Sequence, residues 1–125
     1  MKVDETKEMY LEAIYLLALE NENVRAVDVA KAMGYTKPSI SVAIKKLKGE
    51  GYLETDDHGF ICLTEKGLDV SKPLYQRHMI IAEILMAMGV NKGTAYEDSC
   101  KIEHDLSDES FSAICRYFGK YPEKG

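Results

Sequence analysis

The 125-residue chain is 46% hydrophobic and 30% charged, with a net charge of −5, a balance suited to one globular domain or a small domain with an added helical module. No run approaches the roughly 18 apolar residues a membrane helix needs, and Met1-Lys2-Val3-Asp4-Glu5 lacks the apolar core of a signal peptide, so a cytoplasmic location is expected. Cys62, Cys100 and Cys115 are odd in number and show no Cys-x-x-Cys spacing, which argues against a disulfide framework and a zinc ribbon.

Asp4 to about Glu20 reads as an amphipathic helix with Met9, Ala13, Leu16 and Leu17 on one stripe, widened by Tyr10, Leu11 and Ile14. Asn21 to Asn23 breaks it. A second, short helix spans Ala26 to Met33 with Val27, Ala30 and Val29 inward, and Gly34 stops it. Thr36 caps a third helix whose first turn tolerates Pro38 and whose apolar side is Ile40, Ala43, Ile44 and Leu47, ending at Gly49-Glu50-Gly51. A short helix, a tight turn and a Lys-rich helix form a helix-turn-helix. Tyr52-Leu53-Glu54-Thr55 and Phe60-Ile61-Cys62-Leu63 flank the turn residues Asp56-Asp57-His58-Gly59, a hairpin placed where a winged helix has its wing.

Thr64 is read as the cap of a long helix that continues to about Met88 and ends at Gly89, with a kink or break near Ser71 to Lys72 imposed by Pro73. Thr94-Ala95-Tyr96-Glu97 has the pattern of a capping box opening the helix that carries Cys100. Ser107-Asp108-Glu109 opens a last helix through Phe111, Ile114, Cys115 and Phe118, and Tyr121 to Gly125 is expected to fray. Cys62 and Cys115 are read as small buried apolar groups and His58 as a turn residue. The fold expected is mainly α: a winged helix-turn-helix DNA-binding domain over residues 1–70, then a helical domain over 71–125. The apolar faces of the second are too wide for its own helices to bury, which implies dimerisation.

Charge is divided between the two. Val24 to Tyr52 holds six basic residues against two acidic ones, whereas Thr94 to Ser110 holds six acidic residues against one basic one. One end therefore suits a polyanion and the other a cation, although charge runs are often only solvated faces. Cys100, Glu103 and His104 stand at i, i+3 and i+4, so thiolate, carboxylate and imidazole leave one helix face. Such a set selects a divalent transition metal such as Fe2+, Ni2+, Co2+ or Zn2+ over Mg2+ or Ca2+. By itself the run is a weak signal, because a small buried Cys beside solvated charges is common on helices.

Taken together, Glu8-Met9-Tyr10-Leu11-Glu12-Ala13-Ile14-Tyr15, Lys37-Pro38-Ser39-Ile40-Ser41, Leu63-Thr64-Glu65-Lys66-Gly67, Arg77-His78 and Cys100-x-x-Glu103-His104-x-Leu106-Ser107 carry a resemblance to the iron-dependent repressor family, the diphtheria-toxin-repressor and manganese-transport-regulator group. It covers nearly the whole chain. The resemblance implies a winged-helix domain, a helical dimerisation domain, a homodimer, and metal-activated binding to double-stranded operator DNA that represses metal-uptake genes. Met9, Cys100, Glu103 and His104 match the primary metal site of the iron branch, where the manganese branch typically places Asp and Glu at the positions of Met9 and Cys100. This points to Fe2+, with Mn2+ as the alternative and Zn2+, Co2+ or Ni2+ as substitutes. His78 matches the second metal site of both branches and Glu12 that of the manganese branch. Ala82 stands where relatives tend to carry Glu, and Tyr96 where the iron branch has a histidine ligand, two departures from the family's second site. With its end near residue 125, the chain is similar to the short form without an SH3-like third domain.

The expected mechanism is that metal draws the first helix, through Met9, onto the Cys100 helix and fixes two DNA-reading domains at half-sites about one helical turn apart. Thr36, Lys37, Pro38, Ser39, Ser41, Lys45, Lys46 and Lys48 form the DNA-contacting set. The hydroxyls sit at a helix N-terminus, and the lysines neutralise phosphates. Arg, Asn and Gln are scarce in this helix, so specificity leans on thymine methyls and DNA shape. A thiol-based redox regulator is disfavoured, since Glu103 beside Cys100 raises the thiol pKa. A metal hydrolase is disfavoured too, for want of a second carboxylate-histidine set or a substrate-cradling glycine loop. Neither enzyme chemistry nor a membrane partner is expected.

Overall fold

A computed structural model describes residues 5–121, in which six helices and a two-stranded antiparallel sheet follow in the order α1 (Glu5–Glu20), α2 (Ala26–Met33), α3 (Lys37–Gly49), β1 (Leu53–Thr55), β2 (Ile61–Leu63), α4 (Glu65–Ala87), α5 (Lys92–Asp105) and α6 (Asp108–Phe118). These residues divide into two compact units, one ending at Lys72 and the other beginning at Pro73. The expected helix start at Asp4 and the expected fraying over Pro122 to Gly125 lie outside the described residues.

In the first unit, α2 and α3 form a helix-turn-helix whose ends follow the caps. Gly34 closes α2 with a left-handed φ of 70°, and Thr36 Oγ1 accepts from Ser39 N at 3.3 Å. Ile40, Ile44 and Leu47 of α3 recur at helical spacing and turn inward onto Val29 and Ala30 of α2 and Tyr10, Leu11 and Ile14 of α1. Each fully buried aliphatic side chain of this kind contributes about 1.5–3 kcal/mol. The inward face of α1 is rotated from the expected stripe: Met9 is 38% and Leu16 37% exposed, while Tyr10, Leu11 and Ile14 form the core. A helix with apolar residues on so many sides leaves its orientation to the partners it packs against.

The wing is β1 paired with β2 in the register Leu53↔Leu63, Glu54↔Cys62, Thr55↔Ile61. Alternation turns Leu53 and Ile61 into the core and leaves Glu54 and Cys62 outward. Cys62 is thus exposed, contrary to the expectation of a buried thiol, because its register position faces solvent. Val24 adds a single bridge to Ile61.

α4 runs as one helix through Pro73, so of the kink or break expected near Ser71 to Lys72 the break does not occur. Proline removes one amide donor, to the carbonyl of residue 69, and both Asp69 and Pro73 lie on the exposed side where water can serve that carbonyl. In the second unit Ile80 and Ile84 of α4 pack with Phe111, Ile114 and the buried Cys115 of α6. Burial pushes the Cys115 thiol pKa up. α5 begins earlier than expected, capped by Asn91, whose Oδ1 accepts from Gly93 N at 2.9 Å, rather than by Thr94. Ser107 caps α6, its Oγ accepting from Ser110 N at 3.1 Å. No helix of the described residues is long and apolar enough to cross a membrane.

Candidate metal centre

The second unit supplies the cluster. Cys100, Glu103 and His104 lie on consecutive turns of α5, and His78 on α4 faces them. One ligand atom each from His78, Cys100 and Glu103 lies within 4.8 Å of the others. Two donors bound to one ion at about 2.0–2.3 Å stand at most about 4.6 Å apart, so modest adjustment would close this set on a cation. The residues therefore fit a transition-metal ion by donor type and by spacing.

Glu103 is the centre of the arrangement. It is 2% exposed; one of its oxygens is 3.3 Å from His78 Nδ1 and the other 3.4 Å from His104 Nε2. A carboxylate taken this far out of water is costly unless cations or donors surround it, and two imidazoles beside it suit that need. Cys100 lies at the exposed edge of the cluster, where an ion can enter.

Ser99 was not singled out by the sequence. It is fully buried, its Oγ is 3.0 Å from His78 Nδ1, and its hydroxyl donates to Tyr96 O at 3.1 Å. Tyr96 stacks on the His78 ring at a centroid distance of 5.7 Å and 29° between planes, so it orients the imidazole at a position expected to lack a ligand. Ala82 is fully buried and offers no donor.

Arg77 holds the elements in place. Its guanidinium donates to Asp108 Oδ1 at 3.0 Å, to Ser107 O at 3.1 Å and to Leu106 O, and lies 4.7 Å from the centroid of the Phe111 ring. These bonds tie the α5–α6 turn to α4 one residue before His78, fixing the ring relative to α5. No signal in the sequence separates this structural Arg from a solvated one.

The remaining candidate residues belong to the first unit. Met9 and Glu12 are three residues apart on α1, Met9 38% exposed and Glu12 buried at 4%. Thr36, Lys37, Pro38, Ser39, Ser41, Lys45, Lys46 and Lys48 are all exposed on α3 or at its cap. Thr36 is engaged in capping, and Lys48 Nζ donates to Thr55 Oγ1 of the wing at 2.7 Å.

A family model described as the N-terminal DNA binding domain of iron dependent repressors matches residues 2–59, and another described as their metal binding and dimerisation domain matches residues 64–124. The chain belongs to the iron-dependent repressor family. Its relatives within that family are regulators of transcription, not enzymes. An HTH-type transcriptional regulator of Methanocaldococcus jannaschii is 34% identical over 94% of this chain and 95% of its own. The HTH-type transcriptional regulator MntR of Lysinibacillus sphaericus is 35% identical over 86% of this chain and 77% of its own. Among solved structures, the manganese regulator SloR superposes with a TM-score of 0.77 at 27% identity, covering 97% of this chain and 56% of its own. IdeR of T. acidophilum shares the fold, with a TM-score of 0.82 at 24% identity over 98% of this chain and 57% of its own. The chain thus spans little more than half the length of these two solved relatives.

Proposed function

We propose that this member of the iron-dependent repressor family is a metal-activated repressor: a divalent transition-metal ion held by the second unit licenses the first to bind operator DNA of metal-homeostasis genes. The observation that carries this reading is the convergence of His78, Cys100 and Glu103 to within 4.8 Å beside His104. Bound there, the ion would supply a fixed positive charge and a coordination geometry that one conformation satisfies better than another. A ligand shifts an equilibrium only through such a difference in affinity. His78, Cys100, Glu103 and His104 would hold it, and Met9 and Glu12 join the ligand set on the family resemblance. The protein acts as a cytoplasmic homodimer in this reading.

The thiolate of Cys100 and the imidazoles favour Fe2+ over harder ions, with Zn2+, Co2+ and Ni2+ as chemical substitutes. A Mn2+ reading is supported by the relatives: besides SloR, a manganese-dependent transcriptional repressor in complex with manganese superposes with a TM-score of 0.79 at 25% identity. Titrating Fe2+, Mn2+ and Zn2+ anaerobically into the protein with duplex DNA, followed by fluorescence anisotropy, separates them. Cys100→Ala is expected to weaken metal-stimulated binding by roughly ten-fold or more without loss of helix content. Undiminished metal stimulation in that variant would remove the site as assigned.

A further inference from the structure

We propose that Val42 is a specificity-determining residue that reads the C5-methyl group of a thymine in the major groove. The inference rests on the DNA-binding reading of the first unit and adds to it the base feature that α3 recognises.

Ile40, Ile44 and Leu47 fix the inward side of α3, all at most 8% exposed. Helical periodicity then places Val42 at the middle of the opposite side, one turn from Pro38 and Ser39 before it and from Lys45 and Lys46 after it, all of them exposed. Val42 is 70% exposed, more than any other large apolar side chain among the described residues of that unit. A β-branched residue there gains nothing by burial and is a poorer helix former than alanine, so local folding does not explain it. The surroundings point to an occupant. Lys37 to Gly49 contains four lysines and no acidic residue, so the face is complementary to a polyanion.

The same segment contains no Arg, Asn or Gln, so of the side chains that read purine edges bidentately it has lysine alone, and none at the centre of the exposed side. What its centre offers is a pair of methyl groups. Valine in a helix is nearly confined to one rotamer, so those methyls are aimed before binding. In the major groove the thymine methyl is the one apolar feature of the four base-pair patterns. Lys45 and Lys46, on the adjoining turn, reach for phosphates on either side of that contact.

The test uses a duplex enriched from a random-sequence pool by the full chain, anaerobically with Fe2+ and in parallel with Mn2+. Replacing each dT by dU removes only the methyl and leaves every hydrogen-bonding edge intact. At one thymine position the wild-type protein is expected to lose about four-fold in affinity, the value of one buried methyl. Val42→Ala should bind the unmodified duplex correspondingly less well and show no further loss with dU there, with metal stimulation and salt dependence unchanged. If no dT→dU position weakens wild-type binding, or if Val42→Ala retains the full dU penalty, the inference falls while the repressor reading stands. Failure of the metal-loaded protein to enrich any duplex overturns both.

Discussion

Ser99 shows how a small residue can govern the orientation of a candidate metal ligand. Its hydroxyl is anchored on the carbonyl of Tyr96 and touches His78 Nδ1, while the Tyr96 ring stacks on the imidazole, so the ring is held from its edge and its face. Outer contacts of this type fix ligand orientation and tune affinity. Ser99→Ala is therefore expected to lower metal affinity by roughly ten- to a hundred-fold, measured by competition with a chelator, with helical content unchanged. Equal affinity would show that the hydroxyl has no part in positioning His78. Cys100, Glu103 and His104 were legible from spacing because an i, i+3, i+4 set is a local property of one helix. Ser99, next to Cys100, gave no signal: a serine in a helix reads as solvated until a neighbouring helix buries it.

At the scale of elements, Gly67 fixes how the wing meets α4. Thr64 N donates to Tyr52 O at 3.1 Å and Thr64 Oγ1 to Gly51 O at 2.6 Å, which brings Tyr52 O against Gly67. A Cβ there would run into that carbonyl oxygen and lie 3.1 Å from Leu63 Cδ2. Alanine is the better helix former by about 1 kcal/mol, but the obstacle is backbone, and overpacking costs about 1–3 kcal/mol. The clash wins, so Gly67→Ala should lower stability in urea denaturation; a gain would contradict the docking.

The hairpin turn carries a pH dependence. Asp56 Oδ1 accepts from Phe60 N and His58 N, both at 2.9 Å, and these bonds, that from Phe60 foremost, hold its pKa below the usual aspartate value. A lowered folded pKa means that the contribution is fully present above the unfolded value and is lost as pH falls through the folded one. Amide protection of His58 and Phe60 should therefore hold from neutral pH down to about 5 and decline below about 4, measured by hydrogen exchange. Asp56→Asn should abolish that decline; if it persists, another group is responsible. Gly34 closes α2 as expected, whereas α5 starts at the Asn91 cap, three residues before the Thr94 expected from the sequence.

For the whole molecule, charge is the property with the longest reach. The net −5 conceals a lysine-rich α3 and an acidic segment around α5. Counterion release makes each phosphate-contacting lysine visible in the salt dependence of binding. Lys45→Ala and Lys46→Ala should each reduce the slope of log affinity against log salt by about 0.9, while Lys101→Ala on α5 leaves it unchanged. A slope indifferent to the α3 lysines would remove them from the interface. The sequence by itself determined the order of elements, the helix-turn-helix and its wing, and the three donors on one helix, because caps, periodicity and turn residues act within a few positions of the chain. Tertiary structure alone decided that His78 meets Cys100 and Glu103, that Ser99 and Arg77 steady them, that α1 turns Tyr10 rather than Met9 inward, and that Cys62 faces out. Those outcomes depend on which surfaces exclude water against each other, and residues far apart in the chain settle that together.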